Sequence, residues 1–309
     1  MSRPILFEGS HPKPRTYMDS FDKIENTLPS VTEPKKKKRK PSTIRRWIHR
    51  AFLTWALIST LWLGNSVRTQ GVDPATLRSS ATVSVTDETS ILEFMPVTAN
   101  RKTALIFICG SGISAHAYAP LLRPIAEDGY AVFIVKLPFR FAPLESHKQS
   151  AVDNTFGLIA AHPEYSRWVL SGHSLGAALS CRAVQKQSNA LAEMVLVGTT
   201  HPKQDILTYL TIPVTKIYGS NDGVATPHGV MENKGLLPTH TNWVEIVGGN
   251  HSQFGHYGHQ LFDGYATVTR SEQQAITRME LLKAINRVED RDFEQIMNST
   301  SLSREALGL

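Results

Sequence analysis

Eight short apolar runs recur along the chain from residue 81 onward, at 81–85, 91–95, 104–108, 131–135, 167–170, 194–197, 214–218 and 243–247. Segments compatible with helices fall between most of the later ones, at 117–128, 151–161 and 175–187, and a last one at 272–286 closes the series. Strands alternating with helices predict an α/β fold built on an eight-stranded, mostly parallel sheet flanked by helices, with right-handed crossovers fixing most of the topology. In such sheets, sites form outside the carboxyl ends of the strands.

Upstream of residue 81 the pattern is different. Residues 1–43 are rich in Pro, Ser, Thr and charge, carry the basic run Lys35 to Lys40, and hold no sustained hydrophobic period, which predicts a disordered tail. Residues 44–67 follow, with a stretch of 17 uncharged positions from Ala51 to Val67. Arg45, Arg46 and Arg50 precede this stretch, and Trp47 and Trp62 sit where interfacial aromatics would. The segment is expected to be a single transmembrane anchor, with the basic N-terminus cytoplasmic and the body across the membrane. A cleaved leader releasing a secreted body is the alternative. Residues 68–80 read as a linker, 81–288 as the folded domain and 289–309 as a C-terminal tail, either flexible or a terminal helix.

Charge supports this division. Of 33 basic and 27 acidic residues in 309, the first 50 positions hold 13 and 5, leaving a body with 20 and 22. The excess of +6 therefore belongs to the N-terminal segment, and a near-neutral body offers no broad phosphate-binding face, so no nucleic-acid partner is expected. Two cysteines, Cys109 and Cys181, exclude a disulfide framework and a cysteine-rich metal site. The sequence leaves open whether the two meet. Asn250-His251-Ser252 and Asn298-Ser299-Thr300 fit the N-glycosylation pattern.

Candidate chemistry stands at the strand ends. The run ending at Leu170 leads into Ser171-Gly172-His173-Ser174-Leu175-Gly176 and then a helix-like segment. Strand, glycine-bounded serine and helix are the context of a nucleophile elbow. The strand 214–218 runs into Gly219-Ser220-Asn221-Asp222-Gly223, and 243–247 into Gly248-Gly249-Asn250-His251. A serine hydroxyl needs an imidazole to take its proton, and the imidazole needs a carboxylate to fix its tautomer, so Ser174, Asp222 and His251 form a candidate triad. The oxyanion of an acyl-transfer intermediate would rest on the backbone N–H of Leu175 and on one from the loop after the third strand, Cys109-Gly110-Ser111-Gly112, where Ser111 is the candidate.

These motifs, with Ala117-Tyr118-Ala119-Pro120, Val135-Lys136-Leu137-Pro138-Phe139 and the segment from His251 through Tyr257-Gly258 to Asp263-Gly264, resemble the α/β-hydrolase superfamily, in particular a compact, lidless branch similar to dienelactone hydrolases. The resemblance covers 81 to about 286 and implies a Ser-His-Asp hydrolase without cofactor. The nucleophile is serine, not the cysteine of true dienelactone hydrolases, so the dienelactone substrate itself does not carry over.

About 15 residues separate the sixth and seventh strands, too few for a helical lid, so an open site taking small or soluble carboxylic esters or lactones is expected. In the loop Leu137 to Pro143, Phe139 and Phe141 are candidate substrate contacts as an apolar wall, and Arg140 as a holder of a substrate carboxylate. His251, His256, His259 and Asp263 match no common zinc spacing, so no metal is expected. Acyl transfer to an alcohol by the same triad, or a non-catalytic binding protein on the same fold, stay as alternatives, and the oligomeric state is open.

Overall fold

The computed structural model describes residues 42–98 and 101–306, with side chains as far as Arg291. The expected disordered tail lies outside the described residues except for its last two positions. The chain divides into two units after Leu53, the first holding the opening turns of helix α1 (Thr43–Val67) and the second everything from Thr54 on.

The second unit carries one eight-stranded sheet. Its strands are β1 (Val83–Asp87), β2 (Ile91–Pro96), β3 (Thr103–Ile108), β4 (Ala131–Val135), β5 (Arg167–His173), β6 (Glu193–Val197), β7 (Val214–Gly219) and β8 (Asn242–Ile246), in the order β1-β2-β4-β3-β5-β6-β7-β8. β1 pairs antiparallel with β2, and β2 with β4, while every later pair is parallel. The order turns back between β4 and β3 and then advances through β5, which puts the end of β5 beside the end of β3, with Ile108 opposite Gly172. Helices α2 (Ala119–Glu127), α3 (Glu145–Ala161), α4 (Leu175–Lys186), α5 (Pro227–Glu232) and α6 (Arg270–Ala306) supply the crossovers and the cover.

The central strands are buried on both faces, as a parallel sheet between helical layers requires, so β3, β4 and β6 expose no residue. Their apolar side chains, with Leu121, Leu122 and Ile125 of α2 and Leu281 and Ile285 of α6, form one continuous core. Cys109 and Cys181 are both buried free thiols, each pushed up to about 12 by desolvation.

The C-terminal segment does not leave the domain at residue 288: α6 runs on to Ala306, and at its 289–291 turn the Glu289 carboxylate accepts from the Lys102 and Thr103 N–H groups. Arg287 and Arg291 reach the buried Glu193, a pairing that offsets the cost of a carboxylate inside β6. The expected transmembrane anchor is not shown. Among the described residues, no helix is long and apolar enough to cross a membrane. Arg45, Arg46, His49 and Arg50 occupy the first turns of α1, and the uncharged remainder spans only about 26 Å at about 1.5 Å per residue, against a hydrocarbon core of about 30 Å. Thr54, Ser59, Thr60, Asn65 and Ser66 dilute it further.

Candidate active site

Ser174 stands between β5 and α4 in a conformation few residues adopt, with φ 55° and ψ −117°. A non-glycine residue held there is strained, and the surrounding backbone must over-determine it. The flanking glycines explain how. A Cβ on Gly172 would lie 2.5 Å from the Gly176 carbonyl carbon, and one on Gly176 would lie 2.0 Å from the Ile108 carbonyl oxygen. Only two residues without side chains let β5, α4 and the end of β3 approach this closely. The Ser174 N–H donates to the Val197 carbonyl at 3.0 Å, tying the turn to β6.

Asp222 and His251 come from the ends of β7 and β8. The Nδ1 of His251 and Oδ2 of Asp222 are 2.9 Å apart, with both side chains fully enclosed. The other carboxylate oxygen of Asp222 accepts from the N–H groups of Val224 at 2.9 Å and Ala225 at 2.6 Å. Oδ1 of Asp222 is thus held by two backbone N–H groups, and Oδ2 faces the imidazole. The opposite ring nitrogen of His251, Nε2, is buried with no hydrogen-bond partner. Ser174, Leu175, Val224 and His251 line one pocket of about 220 Å³, together with Gly198, Thr199 and His201.

In the loop after β3, the N–H of Gly110 donates to Tyr118 Oη at 3.0 Å, that of Gly112 to the Arg140 carbonyl at 2.7 Å, and that of Ile113 to the Gly110 carbonyl at 3.2 Å. Ser111 N–H donates to no group among the described residues, and Leu175 opens α4, where first-turn N–H groups have no helical acceptor. Ser111 and Leu175 therefore each keep a backbone donor free.

Several residues that fix this geometry escaped sequence reasoning. Asp263 is buried, its Oδ1 accepting from the His251 N–H at 3.1 Å and the Gly223 N–H at 3.2 Å. Its Oδ2 accepts from the Ser252 N–H at 2.8 Å and Ser252 Oγ at 2.6 Å. One carboxylate so joins the loop bearing Asp222 to the loop bearing His251. Tyr257 Oη donates to the His251 carbonyl at 2.9 Å, and the Gln273 side chain pairs with both the N–H and the carbonyl of Asn250. His173 packs its ring 4.5 Å from that of His251, and its Nδ1 stands 2.9 Å from Tyr118 Oη. Burial, and then the proximity of His251, hold the His173 imidazole well below its ordinary pKa, so it stays neutral. Tyr118 and His173 both lay within quoted motifs, but nothing in their spacing revealed the bond between them.

Other candidates are placed elsewhere. Phe139 and Arg140 do not line the Ser174 pocket: Phe139 packs on His147 beside a separate depression, and the Arg140 guanidinium donates to the Val67 carbonyl at 3.1 Å. His256 engages the Gly71 carbonyl, and His259 the Asp263 carbonyl while stacking on Tyr265, so these rings do not converge with His251. Asn250, acceptor of the first glycosylation pattern, is buried and donates to the Gly264 carbonyl at 2.7 Å, which leaves no room for a glycan in the folded protein.

The sequence model of the alpha/beta hydrolase family matches residues 104–275, more than half of the chain and the span that holds every residue of this site. The chain belongs to the alpha/beta hydrolase family. No curated protein matches it in sequence. Solved alpha/beta hydrolases share its fold at low identity. A predicted CIB-like hydrolase of Thermoplasma acidophilum is 13% identical with a TM-score of 0.51, over 64% of this chain and 98% of that one. A ferulic acid esterase of Streptomyces cinnamoneus is 17% identical with a TM-score of 0.51, over 62% and 68%. A putative alpha/beta hydrolase of Agrobacterium tumefaciens is 12% identical with a TM-score of 0.50, over 66% and 96%.

Proposed function

We propose that the protein is a serine hydrolase that cleaves carboxylic esters through an acyl-enzyme. The observation that carries this reading is the enclosed Asp222–His251 pair, 2.9 Å apart, with His251 lining the same pocket as the strained Ser174. Asp222 accepts the Nδ1 proton of His251, which leaves the lone pair on Nε2 to serve the reacting hydroxyl. The Nε2 lone pair takes the Ser174 proton as Oγ attacks the ester carbonyl, and the C=O electron pair moves onto oxygen. That oxyanion rests on the N–H groups of Leu175 and Ser111. Each such donor is worth roughly 100- to 1,000-fold in rate when it is aimed at the developing charge.

Collapse of the intermediate expels the alcohol, which receives the proton from the His251 imidazolium. Water then repeats the sequence: His251 takes its proton, the acyl carbon is attacked, and the carboxylic acid leaves with Ser174 regenerated. No cofactor enters this scheme.

Turnover of p-nitrophenyl acetate by the full-length protein, with Ser174→Ala and His251→Ala beside it, tests the proposal. Hydrolysis that both variants lose supports it. Hydrolysis that survives Ser174→Ala, or its absence in well-folded wild type, refutes it.

A further inference from the structure

Next to the Ser174 pocket lies a larger cleft of about 540 Å³. One wall is the end of α1, with Leu63 and Val67; the other is Phe141, Val224 and Leu261. Two features connect it to the candidate chemistry. Val224, two residues beyond Asp222, lines both the cleft and the pocket of Ser174 and His251. The loop that carries Ser111 passes against the same walls, since a Cβ on Gly112 would lie 2.8 Å from the Phe141 ring and 3.2 Å from a Val67 methyl.

The cleft is built rather than a gap beside a loose helix. The Gln70 N–H donates to the His256 carbonyl at 2.8 Å, Thr69 bridges to Tyr257, and Arg140 donates to Val67. Gly258 lies so close to the helix end that a Cβ there would be 2.6 Å from the Asn65 carbonyl oxygen. The segment that follows His251 thus holds the end of α1 in place.

Its lining is mostly apolar, with Gln260 the one polar side chain that brings an unpartnered atom, its buried Oε1. The Thr60 hydroxyl donates to the Ala56 carbonyl and the Ser66 hydroxyl to the Leu63 carbonyl, both at 2.8 Å, so neither is directed at a ligand. Leu63, Phe141, Val224 and Leu261 are about half exposed, a contiguous apolar surface of the kind that marks a binding groove. The volume falls within the range of about 300–1,000 Å³ typical of small-molecule sites.

We infer that this cleft receives the uncharged apolar arm of the ester whose carbonyl stands at Ser174, which makes the end of α1 a specificity element. The substrate class is an ester with one hydrocarbon arm of several carbons. This inference rests on Ser174 acting as the nucleophile.

The test compares kcat/KM of the full-length protein for p-nitrophenyl acetate, butyrate and octanoate, and for ethyl and octyl acetate, in wild type, Gly64→Leu and Leu261→Ser. In wild type, one of the two series rises with chain length, by up to about fourfold per added methylene, the equivalent of its burial. Gly64 lines the cleft and a Cβ there meets nothing within 4 Å, so Gly64→Leu fills the cleft while improving helix propensity. It lowers the long-to-short ratio at least tenfold, and Leu261→Ser lowers the same ratio. A flat profile in both series from protein that hydrolyses the acetates overturns the cleft and leaves the hydrolase standing. A ratio unchanged in both variants likewise overturns the cleft. No turnover of any ester by folded protein overturns both.

Discussion

The Asp222 carboxylate meets the His251 imidazole at 2.9 Å, and neither side chain is open to solvent. A hydrogen-bonded pair so enclosed fixes one tautomer, because only a protonated Nδ1 satisfies the carboxylate, and the lone pair then lies on Nε2.

Asp222→Asn tests that dependence. The amide can donate to Nδ1, which reverses the tautomer and directs N–H at Ser174. An ester-hydrolysis kcat lower by roughly 10,000-fold is expected, with thermal stability changed far less. Steady-state kinetics with a melting curve measures both, and a variant within tenfold of wild type would remove Asp222 from the triad.

Asp263 serves both loops at once. Asp263→Asn turns one acceptor into a donor facing the Ser252 N–H and hydroxyl or the His251 and Gly223 N–H groups. A buried charged network broken in this way costs about 3–5 kcal/mol. Urea unfolding should show that loss, and kcat should fall at least tenfold at temperatures where the variant is still folded.

Tyr118→Phe removes the acceptor of the Gly110 N–H and the partner of His173 Nδ1 together. Two buried polar atoms without partners cost about 2–4 kcal/mol in unfolding free energy. Because Gly110 adjoins Ser111, kcat should fall while KM changes little, a division that a purely structural role would not produce.

How much of this was legible in the chain depends on the range of the interaction. The apolar runs and the glycines around Ser174 are local signals, and they located the strands within one or two residues at most ends and put Ser174, Asp222 and His251 on three strand ends. The Asp263 brace is not local: its donors are mostly backbone N–H groups, which every sequence supplies, so nothing marks the carboxylate as their acceptor. The same holds for the pairing of the buried Glu193 of β6 with Arg287 and Arg291 of α6, which no local pattern in either element announces. Loop composition points to Phe139, Phe141 and Arg140 alike, without telling them apart. Positive φ at Phe139, Arg140 and Ala142 sets that loop so that Phe141, not Phe139, lines the cleft against Val67.

Stability should fall in mild acid. His173 is held well below its ordinary value near 6.5, first by burial and then by His251, and His201 is lowered to about 4, first by burial and then by nearby lysines. Below pH about 6.5 the unfolded chain takes up protons that these folded imidazoles refuse, so unfolding gains up to about 1.4 kcal/mol per pH unit from His173, with less from the part-exposed His201. Melting temperature between pH 7 and 5 should drop, and His173→Asn should flatten the slope. An equal slope in that variant would assign the acid sensitivity to other groups.

The most direct measurement is labelling of the full-length protein with a fluorophosphonate, read by intact mass and peptide mapping, beside Ser174→Ala. An activated serine attacks phosphorus whatever its natural ester. One adduct per chain on Ser174, lost in Ser174→Ala and suppressed in Asp222→Asn, is the expected result. No adduct on folded protein, or one that persists in Ser174→Ala, would contradict the account.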